Sequence, residues 1–146
     1  MFFIICSSVS FYLVGEPMRV QMIPIPQTEK RADGMLKVDL NTIPVPSDFF
    51  NRYQLMISIP PMRFGGNHKH PRREIFICLS DDVELHWVDE EGKTQVCKMK
   101  EDQQLYLFDV PPYVPHAIIN LSLSAPAVIL ELAEEKQHDV EPCSIL

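Results

Sequence analysis

Basic side chains are in short supply: 13 Lys and Arg stand against 20 Asp and Glu, for a net charge of −7. A nucleic-acid binder needs a surplus of cations on one face, so no nucleic-acid partner is expected. An anionic membrane surface is disfavoured on the same ground. A small anionic ligand is not excluded, because a local pair such as Arg72-Arg73 can oppose the global sign. Long apolar runs are also missing. Residues 2–14 are apolar but too short to span a bilayer. No Lys or Arg precedes Arg19, so the basic start of a secretory signal is absent. Residues 1–17 therefore read as an apolar N-terminal extension, either an extra strand or a stretch upstream of a start at Met18. Residues 18–146 then form a single domain. Cys6, Cys78, Cys97 and Cys143 include no CxxC pair and read as free thiols in a reducing cytoplasm.

Glycine is scarce too, with five residues against 13 prolines. The prolines leave few stretches long enough for a helix with a periodic apolar face. Between them lie short runs of β character at 53–59, 75–79, 83–88, 94–99, 105–110, 117–121 and 127–132. A spacing of about ten residues with turns between predicts an all-β sandwich or barrel. The hairpin over 83–99 is the clearest element. Val83, Leu85 and Trp87 alternate with Glu84 and His86 and should face the interior, and Asp89-Glu90-Glu91-Gly92 supplies the turn. A short helical turn is expected over 131–140.

The chemistry concentrates in GGNHKHPRRE, residues 65–74. On an extended strand i and i+2 share a face, so His68 and His70 point the same way, and Glu74 keeps that parity beyond Pro71. A further histidine, His116, opens the strand after PPYVP. Imidazole nitrogens with one carboxylate oxygen suit a divalent transition ion, and three or four such ligands leave room for substrate. By itself an HxH pair also fits two surface histidines. His86 reads as solvent-facing or barrel-lining, His138 as solvated, and Tyr106 and Trp87 as core or pocket wall. Arg72 and Arg73 read as a solvated strand end or, more sharply, a phosphate clamp. Tyr113 lies three residues before His116, within reach of the pocket mouth.

Gly65, His68, His70 and Glu74, followed by Pro111, His116 and Asn120, resemble the two cupin motifs. The resemblance implies a small all-β jelly-roll barrel, double-stranded β-helix in type, that commonly pairs as a homodimer. It implies one divalent metal (Zn, Fe, Mn or Ni) on His68, His70, Glu74 and His116. Two turn glycines of the pattern are replaced, by Tyr113 and Asp81. The same stretch is similar to the WxcM-like sugar 3,4-ketoisomerases, in which paired histidines move protons between sugar carbons without a metal. RADGML at 31–36 resembles their opening motif, but the arginine they carry before the first-motif glycine has no match here. Together the two resemblances imply a metal-binding, isomerase- or epimerase-type protein acting on a sugar or small polar metabolite. His68, His70 and Tyr113 are the candidate catalytic residues, and Arg72, Arg73 and Asn120 the candidate substrate-binding ones. A non-catalytic binding or sensing barrel and a metal-dependent oxygenase remain open.

Overall fold

Between the prolines the chain pairs as antiparallel strands. The structure, a computed structural model, describes residues 19–146, so the expectation for residues 1–17 and Cys6 lies outside it. In chain order the strands are β1 (Gln21–Pro24), β2 (Glu29–Lys30), β3 (Leu36–Lys37), β4 (Tyr53–Ile59), β5 (Phe64–Lys69), β6 (Glu74–Cys78) and β7 (Val83–Val88). They continue with β8 (Thr94–Lys98), β9 (Lys100–Glu101), β10 (Gln104–Val110), β11 (His116–Asn120), β12 (Ala127–Ala133) and β13 (Glu141–Pro142). One sheet runs β1-β10-β6-β12-β4, with β9 on the end of β10. The facing sheet runs β13-β5-β11-β7-β8, and β2-β3 is a separate hairpin. This is the jelly-roll barrel that the motifs imply. Among the described residues no helix is long and apolar enough to cross a membrane.

Parity within each strand decides which of two cores a side chain enters. Phe76, Cys78, Phe108, Val110 and Ile129 meet Val83, Leu85 and Ile118 between the sheets. Ile75, Ile77, Leu105, Leu107 and Leu132 point out of the barrel and are covered by Ile25 and Phe49, with Leu36, Val38, Ile43 and Val45 alongside. The central strands of the larger sheet, β6 and β10, are therefore buried on both faces. This explains why β6, EIFIC, is buried at every residue and shows no polar alternation. Trp87 is only partly buried against the inner core, while Val83 and Leu85 are fully inside.

The runs over 53–59 and 83–88 coincide with β4 and β7, and the other expected strands differ by a residue or so at their ends. The hairpin turn forms as its residues dictate. Asp89 Oδ1 accepts from the backbone N–H of Glu91 and Lys93 at 2.9 Å each, and Gly92 takes φ +77°. The helical turn expected over 131–140 does not form. Glu131 pairs with Leu55 on one side and Phe76 on the other, so the sheet ladder engages the backbone that a helix would need. The chain then runs as a loop from Glu134 to β13.

Candidate functional site

His68 ends up beside His116 because β5 and β11 pair with these two residues opposite each other. A bulge between His116 and Ala117 displaces the register there. Gly66 makes the approach possible. Its φ is +85°, and a Cβ would lie 3.0 Å from the His116 carbonyl oxygen and 3.3 Å from the Ala117 Cα. His70 follows directly after β5. Glu74 does not share a strand face with the histidines, as its parity suggested. The chain turns at Pro71, and Glu74 opens β6 in the opposite sheet, facing the imidazoles across the barrel.

The three rings pack edge to face with centroids 5.1–5.2 Å apart. One nitrogen from each lies within 4.8 Å of the others. His116 Nδ1 sits 2.8 Å from the Val114 carbonyl oxygen, to which it donates, and its Nε2 lies 3.2 Å from Glu74 Oε2. His70 Nε2 is 3.1 Å from Glu74 Oε1. Neither approach is well aligned for both groups: the two ring nitrogens of His70 and Glu74 Oε2 are buried without an aligned hydrogen-bond partner.

Behind Glu74 lies a buried ionic chain that crosses between strands. Arg72 Nε donates to Glu74 Oε1 at 2.6 Å, its Nη2 binds Glu131 on β12, and its Nη1 donates to the Glu135 carbonyl at 3.3 Å. Arg72, Glu74 and Glu131 are 5%, 2% and 4% exposed, so these charges compensate one another away from water. Burial pushes the Glu131 carboxyl up to about 7, aided by the charge of Glu74. Burial acts the same way on Glu74, but the nearby His116 and His70 nitrogens outweigh it and hold that carboxyl below the usual range. His68 is pushed down to about 4, by burial first and then by the two neighbouring histidines, so its imidazole is neutral at pH 7.

The cluster opens into an inner chamber of about 180 Å³, walled by His68, His116 and Glu74 on one side and by Ile59, Phe76 and Ile118 on the other. An outer chamber of about 530 Å³ adjoins it, bounded by Tyr53, Leu55, Met56 and Lys136. Ile57, Arg72, Glu131 and Gln137 belong to both and form the neck. A third hollow, about 280 Å³ beside Trp87 and Gln95, contains none of the cluster histidines.

Four of the residues expected from the sequence are thus together: His68, His70, Glu74 and His116. The others take different parts. Arg72 is an internal counter-ion, not a free phosphate clamp. Arg73 binds Asp109 through Nε at 2.9 Å and Nη2 at 2.7 Å, reaches Asp48, and lies over the Phe49 ring outside the barrel. Asn120 donates to the Ile59 and Ala125 carbonyls at 2.9 Å and accepts from Ser122 N–H, which ties strand ends together, and it borders neither chamber. Tyr113 is 54% exposed and its ring lines neither chamber. His86 pairs with Glu84 at 2.9 Å on the far face of β7, and the Arg31–Asp33 pair sits in the exposed β2–β3 turn. Glu131 and Gln137 are absent from the set that the sequence suggests. A charged residue inside the apolar run AVILELA was the available signal for Glu131; Gln137 had none.

The donor set fits a divalent ion. Three imidazole nitrogens converge, and the partnerless atoms of His70 and Glu74 are those an ion would satisfy. Arg72 already balances Glu74, so the imidazoles would be the primary ligands.

Known proteins resemble this chain in sequence and in fold. The sequence profile described as FdtA: WxcM-like, C-terminal matches residues 18–141. Among solved structures, a dTDP sugar isomerase from Desulfovibrio desulfuricans G20 superposes with a TM-score of 0.67 at 14% identity, covering 88% of this chain and 86% of that one. QdtA, a sugar 3,4-ketoisomerase from Thermoanaerobacterium thermosaccharolyticum solved with TDP, gives 0.60 at 16%, covering 82% and 83%. A histidine-to-asparagine variant of QdtA, solved with TDP-4-keto-6-deoxyglucose, gives 0.60 at 15% over the same shares. At these identities the likeness establishes a common fold. No curated protein matches the chain.

Proposed function

Because this chain belongs to the WxcM-like, C-terminal family of FdtA, we propose that it shifts the keto group of a nucleotide-linked keto-sugar bound against the histidine cluster. The observation that carries this reading is His68: a neutral imidazole on the wall of the inner chamber, with a second imidazole and an ionised carboxylate beside it. Structures of similar fold with TDP and TDP-4-keto-6-deoxyglucose bound support the substrate class.

A 3,4-shift needs only proton movements. His68 accepts the proton from C3 while O4 gains one, giving a C3–C4 enediol. O3 then gives up its proton and C4 receives one, so the ketone has moved and no oxidant or reductant is consumed. His116 works through Nε2, since Nδ1 is committed to Val114. Glu74 stays ionised and stabilises whichever imidazole carries the extra proton. Arg72 fixes the Glu74 carboxylate in place. Phe76, Ile59 and Ile118 keep the reacting carbons dry.

A second reading is favoured by the partnerless atoms of His70 and Glu74. In it, His68, His70 and His116, with Glu74, hold one divalent ion (Zn, Fe, Mn or Ni), which would polarise the ketone as a Lewis acid. A homodimer also fits the molecule: β4 is the outer strand of its sheet, its sequence YQLMISI has no charge, and Leu55 and Met56 are 42% and 79% exposed.

The test is to incubate the protein with TDP-4-keto-6-deoxyglucose in D2O and follow the sugar by NMR. Wild type should convert the ketone and take deuterium at the reacting carbon, and His68→Asn should lose roughly 10²–10⁴-fold in rate. Turnover that survives a chelator assigns the chemistry to the imidazoles alone; turnover lost to the chelator and restored by added ion assigns it to the metal reading. No conversion and no exchange by wild type would sink the proposal.

A further inference from the structure

The segment after β12 crosses the neck between the two chambers and is fastened on both sides of it. At the near end Glu134 N–H donates to the Arg73 carbonyl at 3.3 Å, and the Glu135 carbonyl accepts from Arg72. At the far end β13 pairs with β5, placing Glu141 opposite Lys69 and Pro142 opposite His68. Cys143 N–H then donates to the Asn67 carbonyl at 2.8 Å, and Ile145 N–H to Asn67 Oδ1 at 3.0 Å. Both anchors are immediate neighbours of the histidine motif. Gln137 stands between them.

Four side chains border both chambers. Ile57 has no polar group, and Arg72 and Glu131 bind each other. Gln137 is the one left with free donor and acceptor capacity. Among the described residues its side-chain amide makes one hydrogen bond, Nε2 to His68 Nε2 at 3.5 Å, at the outer limit for such a bond. The amide is thus weakly held, beside the imidazole that faces the reacting carbons. The inner chamber, about 180 Å³, falls below the roughly 300–1,000 Å³ typical of ligand pockets. A sugar joined to a nucleotide must straddle both chambers and pass this amide.

We propose that Gln137 is the residue that positions the substrate at the neck. Its amide binds a polar group of the sugar portion and so fixes which carbon faces His68. This rests on the sugar-isomerase reading above. The role is one of positioning, since Gln137 transfers no proton and acts by holding the ring in register.

The experiment compares two probes on wild type, Gln137→Leu and Gln137→Asn: TDP, which lacks the sugar, and TDP-4-keto-6-deoxyglucose. Gln137→Leu should leave TDP affinity within about two-fold while weakening the sugar nucleotide by roughly ten-fold, the scale of one neutral hydrogen bond. KM should rise with it, and Gln137→Asn, with a shorter amide, should recover part of the loss. Gln137 is exposed, so an unchanged melting temperature is expected and shows that folding is not the cause. Equal weakening of both probes, or of neither, overturns the inference. If wild type binds the sugar nucleotide without converting it, the isomerase reading fails while the two-probe ratio still decides the role of Gln137. If wild type binds neither probe, both fall.

Discussion

Replacing Arg72 with Met separates two roles that look alike in sequence. A substrate clamp can be removed at little cost to folding, whereas a buried counter-ion cannot. Arg72 is 5% exposed and holds Glu74 through Nε, Glu131 through Nη2 and a backbone carbonyl through Nη1. Methionine keeps much of the aliphatic stem but leaves two buried carboxylates facing each other. Breaking such a pair costs about 3–5 kcal/mol, because an uncompensated charge remains out of water. For a chain of this length that is a fall of roughly 10–16 °C in Tm. The loss should depend on pH. The Glu131 carboxyl is already raised to about 7 in the folded protein with the guanidinium present. A carboxyl whose folded pKa lies above its unfolded value holds a proton that the unfolded chain releases. Its stabilising contribution is present in acid and is lost as pH rises through the folded value. Without Arg72 that value climbs further, so the penalty should be larger at pH 8 than at pH 5.5. Arg72→Met/Glu131→Gln should regain part of the loss at pH 8, since one of the two charges is gone. Thermal unfolding of the three proteins at both pH values is the assay. A penalty below about 1 kcal/mol, or one equal at pH 5.5 and pH 8, would refute the buried counter-ion and return Arg72 to the substrate.

Two backbone positions give sharper, local tests. Gly66→Ala places a Cβ 3.0 Å from the His116 carbonyl at φ +85°, so it should destabilise by at least about 1–2 kcal/mol and move His68 away from His116; a Tm unchanged in calorimetry would contradict the close approach of β5 and β11. Tyr113 holds φ +62° with its ring 54% exposed, so Tyr113→Gly should stabilise by about 1 kcal/mol through relief of that conformation, and turnover that stays at the wild-type rate would remove Tyr113 from the catalytic candidates.

The sequence by itself determined the residue types and most of the strands. Proline spacing and period-2 alternation are local properties, so β4 and β7 could be drawn to the residue, and the two motifs named His68, His70, Glu74 and His116 as one set. Where a strand is buried on both faces, as β6 is, alternation vanishes and only its apolar character remains to be read. Tertiary structure decided everything that depends on which strands face each other. Glu74 reaches the histidines from the opposite sheet, not by parity along one strand. Arg72, a surface cation by its neighbours in sequence, is an internal one because Glu131 arrives 59 residues later on β12. Gln137 meets His68 across 69 residues because the chain after β12 is tied down by Asn67. Register between strands distant in sequence, and the loops fastened across them, are set by the packing of the whole barrel. No local pattern of residues encodes them.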